Sequence, residues 1–579
     1  MSAPEPEGGE RRRRRLTRTL PLAALALVAF LAGMLAGGEP EAPGAERFLN
    51  AWEADDVEAM HAELTPDAQE KHPLGRFRAA YAEAVETATI ATLSVSEHEA
   101  QDDLVRAPVS LTTRAFGELA GEIELPVADG LVAWEPHLVF PGLEAGEQLA
   151  RRTRAPARAS ILAADGSVLA EGPAAARTLP LAGAPSVAGE VGTPTPAQAD
   201  ELAARGFPSG TLAGISGLEL AFDARLGGTP GGELLARNVD EAGEDRVLAT
   251  SEPSGGKAVR TTIDPELQGA AVTALGSLFG GIAVLDARNG SVLALAGVAY
   301  SAPQPPGSTF KIVTTTGAID AGVVELSDTF PVETSNSEIG REISNSNDSP
   351  CGGSFAESFA NSCNTVFAPL GAELGGEQLV ETAEKFGWNA PPALFAEQAM
   401  AAVDPPSSTI PEDIATSVEA GESAIGQGQV LATPLQMASV AQTIAGGGVR
   451  SPTPIVKSPE LAPAAAPVRV TSPKTASTIR DLMVGVVERG TGTAAAISGV
   501  AVAGKTGTAE LGPKALEPGQ ELGPGEDPPL EKDAWFTAFA PAGKPSLAVA
   551  VMIVNSDADG GVVAAPIARE VLVAGLGVE

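Results

Sequence analysis

The stretch "PPGSTFKIVTTTGAI", Pro305 to Ile319, decides how the chain is read. A Pro-Pro-Gly break precedes a helix-like run, so Ser308 and Lys311 stand three apart on one helix face. There a lysine amine can take the proton of a serine hydroxyl. Ser308 as a plain N-cap is the alternative. A second Ser-x-x-Lys pair, Ser254 and Lys257 in "PSGGK", sits among glycines, which resist helix formation and hold no fixed register.

The histidines narrow the choice. His61, His72, His98 and His137 all precede residue 140, which removes a Ser-His-Asp triad and a histidine-ligated zinc from the long C-terminal part. A working serine there needs lysine, tyrosine or a carboxylate as its base. Two further patterns supply partners. "ANSCNTVF" contains Ser362 and Asn364, a hydroxyl for proton relay and an amide that can hold a substrate carbonyl or a lysine. "VAGKTGTAE" contains Lys505, Thr506, Gly507 and Thr508, a strand edge where Gly507 admits close backbone approach and Lys505 adds charge for a carboxylate. Each alone reads as a helix cap or a strand end; their joint occurrence in this order argues for chemistry.

The 579 residues imply three or four domains of ordinary size. A net charge of -36 repels nucleic acid and anionic membrane surfaces, so no nucleic-acid partner is expected. Arg11 to Arg15 and Arg18 lie in a basic tail, 1–19, directly before nineteen uncharged residues, Leu20 to Gly38. Such a run is long enough to cross a bilayer once, with the arginines in the cytoplasm and the remainder outside. A cleaved signal peptide is the rival reading. Cys351 and Cys363 are the only cysteines. Outside the cytoplasm they can pair as a disulfide, and two buried free thiols are the alternative.

Residues 43–145 read as a small α+β domain: helical spacing around Phe48, Trp52 and Met60, then strand-like segments ending at "WEPHLVFPGL", Trp134 to Leu143. From 150 to 250 the chain is rich in Gly, Ala and Pro with few clustered titratable residues, which predicts a spacer or docking module. Residues 255–579 open with a helix start at Asp264-Pro265 and two alternating strands about Asn289-Gly290. Helices follow, then late strands and a last helix, so one sheet is expected from both ends of this domain.

Ser-x-x-Lys, Ser-x-Asn and Lys-Thr-Gly in this order resemble the active-site set of penicillin-binding proteins and serine β-lactamases. "IDPELQ", "GISGLELAFDARLGG" (Gly214 to Gly228) and "GQGQVLATPLQMA" (Gly426 to Ala438) are similar to stretches of monofunctional class B penicillin-binding proteins. The segment 43–145 resembles the nuclear-transport-factor-two-like domain of the methicillin-resistance type. The resemblance implies an α+β multidomain fold: membrane anchor, cone-like domain, dimerisation or pedestal domain, and a transpeptidase domain with an antiparallel sheet flanked by helices. One stretch departs from the family: "RASILAADG" from Arg158 has Ala164 where a second arginine is usual, which puts interdomain contacts there in doubt.

The resemblance implies that Ser308 attacks a D-Ala carbonyl of a peptidoglycan stem peptide, with neutral Lys311 as base and its pKa lowered by Lys505. Ser362 relays a proton and Asn364 orients substrate. Lys505, Thr506 and Thr508 hold the terminal carboxylate, and the N–H groups of Ser308 and Thr508 form the oxyanion hole. β-Lactams acylate the same serine, and no cofactor or metal is expected. Implied partners are glycan strands derived from lipid II, a glycosyltransferase, and the division or elongation machinery. Cys363 lies inside the Ser-x-Asn motif, so a bond to Cys351 would brace that loop. The Pro/Gly/acidic connection between Glu510 and Trp535 is expected to overhang the cleft. The alternatives are a D,D-carboxypeptidase, a β-lactamase or a catalytically weak scaffold.

Overall fold

The computed structural model describes residues 43–101, 103–239, 244–513 and 530–578. The basic tail 1–19, the apolar run 20–38 and most of the connection after Glu510 lie outside them. Among the described residues no helix is long and apolar enough to cross a membrane. The chain divides into two compact units, and the stretch 150–250 is shared between them. Ala199–Ser209 and Thr229–Ser254 join the N-terminal residues, whereas Ala157–Gln198 and Gly210–Gly228 join the C-terminal ones.

In the first unit, four helices between Pro43 and Ala88 precede an antiparallel sheet in which Ile90–Val95, Leu104–Thr113, Gly117–Ala128 and Leu131–Val132 are neighbours in that order. Val105, Ala107, Val109 and Leu111 alternate with exposed residues and turn one sheet face to the core. Phe48, Trp52, Phe77, Tyr81 and Trp134 fill that core edge to face, and the buried indole of Trp134 donates to Tyr81 Oη.

The second unit is built on a five-stranded antiparallel sheet. Its order is Val292–Gly297, Gly280–Asp286, Leu547–Ile553, Leu530–Ala540, Ala503–Pro513. Strands from both ends of the domain thus meet in one sheet, as expected. One expectation needs correcting: Gly280–Asp286, read as an alternating strand, is buried at every position, as is Leu547–Ile553 beside it. Both sheet faces are covered, which a continuous apolar run satisfies and an alternating one does not. Val549 and Val551 face a core shared with the helices Pro265–Leu275 and Ala564–Leu576; Ala548, Ala550 and Met552 face the opposite core with Pro434–Ala445.

The expected scarcity of clustered titratable groups between 150 and 250 is also corrected. Within the second unit, Glu219 is fully buried and accepts from Arg158 Nη2 at 2.5 Å and from Arg177 Nε at 2.7 Å, while Arg158 Nη1 reaches Asp223 at 2.9 Å. Spacing hid the cluster because its bonded pairs are 42 to 65 residues apart. At the departure from the family pattern, Ala164 O accepts from Arg260 Nη2 (3.0 Å) and Lys457 Nζ (2.9 Å).

Removing one partner of a buried ion cluster strands the other charge. Arg158→Ala is therefore expected to cost about 3–5 kcal/mol in chemical denaturation. Arg154→Ala, at an ion pair with Glu252 whose side chains are more than half exposed, should cost under about 1 kcal/mol. Equal losses in the two variants would contradict this assignment of burial.

Candidate active site

Gly307 sets the approach to Ser308. Its φ is +51°, its N–H donates to Gly426 O at 3.0 Å, and a Cβ there would lie 2.6 Å from Thr508 O. Only glycine fits a left-handed turn pressed this closely on a strand. Gly307–Phe310 is one 3-10 turn, continued by the helix Lys311–Asp320. At i and i+3 of such a turn, side chains eclipse. Ser308 is half-buried at the mouth of a cleft of about 1230 Å³, and Lys311 is fully buried beneath it.

Lys311 Nζ donates to Ser362 O (2.7 Å), Asn364 Oδ1 (2.7 Å) and, at a longer 3.3 Å, Ser362 Oγ. Lys505 Nζ donates to the same Ser362 Oγ at 2.9 Å. Two buried amines thus converge on one hydroxyl. Ser362 has φ +62°, a left-handed conformation that costs a non-glycine residue about 1–2 kcal/mol. It is held there by the Lys311 bond to its carbonyl and by the Cys351–Cys363 disulfide on the next residue. Asn364 Nδ2 donates to Ser344 O, which leaves its Oδ1 turned to the lysine.

The Lys-Thr-Gly residues lie on Ala503–Pro513, the sheet edge facing the serine turn. A Cβ on Gly507 would meet Pro306 O at 2.7 Å and Trp535 Cβ at 3.0 Å. Thr506 Oγ1 and Thr491 Oγ1 share a hydrogen bond of 2.6 Å, and Gly560 N–H donates to Thr508 Oγ1 at 3.3 Å. Ser308, Lys311, Ser362, Asn364, Lys505, Thr506, Gly507 and Thr508 are therefore gathered at one site. Ser254 and Lys257 are not on a helix, and the Ser254 backbone pairs with Thr229 instead.

Sequence reasoning missed several supports. Asn345, buried, donates through Nδ2 to Glu333 O and Ser349 O and accepts from Thr365 N–H, tying the cleft wall to the Ser-x-Asn helix. Phe367 and Phe359 place their rings 5.2 Å from Lys311 Nζ and 5.7 Å from Lys505 Nζ. Their spacing about the Ser-x-Asn motif was the available signal. Thr491 carried none.

Burial lowers both lysine pKa values, and the two environments differ. Desolvation brings Lys505 down to about 7. Lys311 falls well below the ordinary lysine range through desolvation first and the charge of Lys505 second, so burial outranks the cause that the sequence suggested. Proton occupancy is thereby ordered: Lys505 holds its proton more strongly, and Lys311 is the first to become the neutral amine. With two protons donated to Ser362 O and Asn364 Oδ1, neutral Lys311 keeps a lone pair to accept a hydroxyl proton.

Comparison with known proteins places this geometry among relatives. The model of the penicillin-binding protein transpeptidase domain matches residues 280–573, and that of the penicillin-binding protein dimerisation domain matches 173–261. The peptidoglycan D,D-transpeptidase PbpA of Mycolicibacterium smegmatis is 34% identical over 417 residues, 62% of this chain and 79% of the relative. PbpA of Mycobacterium tuberculosis is 34% identical over 385 residues, 56% of this chain and 73% of the relative. The solved penicillin G acyl-enzyme of penicillin-binding protein A from M. tuberculosis aligns with a TM-score of 0.55 at 27% identity, covering 73% of this chain and 100% of that one.

The split of the lysine pair predicts a bell-shaped pH profile for acylation. Lowering pH through the depressed Lys311 pKa protonates the base, giving the acid limb. Raising pH through about 7 discharges Lys505, giving the alkaline limb. Stopped-flow acylation by a chromogenic cephalosporin checks this; a rate that climbs steadily to pH 9 would remove Lys505 from its role as the cation.

Proposed function

The chain belongs to the penicillin-binding protein transpeptidases, and from that premise we propose how its residues divide the work. It is a serine D,D-transpeptidase that cross-links peptidoglycan stem peptides through an acyl-enzyme and is acylated by β-lactams. Ser308 Oγ attacks the carbonyl of the penultimate D-Ala while Lys311 Nζ takes its proton. The N–H groups of Ser308 and Thr508 hold the oxyanion, a contribution of roughly 3–4 kcal/mol per donor in a studied protease. Ser362, bonded to both lysines, carries the proton on to the leaving D-Ala nitrogen, and the C–N bond breaks. Asn364 holds Lys311 in line. Lys505, Thr506 and Thr508 take the terminal carboxylate. An amine of a neighbouring stem peptide then attacks the ester and releases Ser308. The observation that carries this reading is the convergence of two buried amines on Ser362 Oγ.

We further propose, on sequence grounds, that 20–38 anchors the chain in the cytoplasmic membrane by one pass with the N-terminus inside. On the same grounds 43–145 is a nuclear-transport-factor-two-like domain of the methicillin-resistance type, 150–250 serves as dimerisation or pedestal module, and a glycosyltransferase of the division or elongation machinery supplies glycan strands.

Fluorescent penicillin should label the ectodomain and remain bound for hours, and Ser308→Ala should take no label. Rapid release of label would favour a β-lactamase. Lys311→Met should slow acylation by about 10²–10⁴-fold without lowering the unfolding midpoint, because it replaces a buried amine with an apolar chain of similar length. A matching loss of stability would mean that Lys311 is structural.

A further inference from the structure

Away from the cleft, a second cation is held in the second unit without an acid. Arg450 is half-buried, and its Nε donates to Lys385 O at 3.0 Å. Among the described residues no carboxylate pairs with it and no acceptor meets its two Nη nitrogens. In a chain with 74 acidic residues, a guanidinium with no carboxylate partner, its Nη edge open to solvent, is free to take an anion from outside. Desolvation lowers its pKa with no opposing charge.

The guanidinium lines a small pocket with Gly387, Ser408, Gln436, Ser439 and Ser451. Two of the pocket's hydroxyls are unspent as donors. Ser408 Oγ accepts from Thr433 N–H and Ser451 Oγ accepts from Gln442 Nε2, so each retains its own proton to give. No carboxylate lines the pocket. Gly387, at φ +111°, makes the room: a Cβ there would stand 2.8 Å from Arg450 Nη1. The cavity volume of about 30 Å³, room for about two waters, limits an occupant to a few atoms at the guanidinium and excludes a peptide.

We propose that this pocket binds a small oxyanion, a carboxylate or phosphate group, on the Nη edge of Arg450 and the serine hydroxyls. A planar guanidinium fork with hydroxyl donors around it is the chemistry that recognises such groups.

The test uses ectodomain already acylated at Ser308 by penicillin, so that Lys505 is not a competing anion site. Sodium phosphate and sodium acetate are titrated separately at constant ionic strength and pH, with sodium chloride as reference, and unfolding midpoint and amide hydrogen exchange are followed. The expected result is a saturable rise in midpoint with one or both salts, absent in Arg450→Gln and reduced in Arg450→Lys, with added protection confined to segments 385–393 and 449–453. Phosphate acting alone identifies a phosphate site; acetate acting alone identifies a carboxylate site. Failure of both salts to saturate, an equal rise in Arg450→Gln, or protection elsewhere would overturn the proposal. Should Arg450→Gln not fold, Ser451→Ala and Ser439→Ala replace it, each expected to weaken binding severalfold. Unchanged affinity in both would overturn it equally.

Discussion

The whole site depends on two lysines buried side by side without a carboxylate to neutralise them. Each amine alone would resist leaving water. Together they cannot both be charged, since two cations sharing Ser362 Oγ repel in a medium of low dielectric. Burial first and repulsion second therefore do what a histidine does elsewhere: they make one amine a base at neutral pH. The second holds its proton more strongly and, when charged, suits a carboxylate. One constraint yields both the nucleophile's base and the substrate's anchor.

That constraint requires the surrounding backbone to approach closely. Gly307, Gly426, Gly507 and Gly560 mark where the serine turn, the Gly-Gln-Gly segment, the catalytic strand and the turn after Ile553 touch main chain to main chain. Built Cβ atoms there would sit 2.0–2.7 Å from backbone oxygens. Removing side chains from these four contacts lets the serine turn and the Lys-Thr-Gly strand close on each other over the buried amines. Stability is given up for geometry at Ser362, whose left-handed backbone is held by a disulfide next door and by the lysine that it serves.

Much of this was legible in the sequence. Ser308, Lys311, Ser362, Asn364 and Lys505 carry local signatures, and the lack of histidine after residue 137 pointed to lysine as base. The sheet made from both ends of the domain followed from the order of apolar runs. What escaped were relations at long range. The Arg158–Glu219–Asp223–Arg177 cluster joins arginines to acids 42 to 65 residues away. Asn345, Thr491 and Arg450 matter through partners on other elements, and a lone polar residue in a loop gives no sign of them. The strands buried on both faces were misread because alternation tells only whether one face is wet.

The arrangement also bears on what happens after acylation. Among the described residues, no carboxylate hydrogen-bonds Lys311, Ser362, Asn364 or Lys505. Of the five acids that line the cleft, Glu342, Asp348, Glu422, Glu510 and Asp559, Glu422 is engaged by Arg341, Asp559 by Lys532 and Glu342 by the Ser335 hydroxyl. At the motif residues themselves, a water drawn to the ester meets two buried amines and one weak base, the Lys311 lone pair. A neutral amine needs less help, because it is a stronger nucleophile than water and gives up its proton after attack. A site that replaces acidic partners with buried amines thus favours aminolysis over hydrolysis, and the same absence that makes Lys311 a base makes the acyl-enzyme wait for an acceptor.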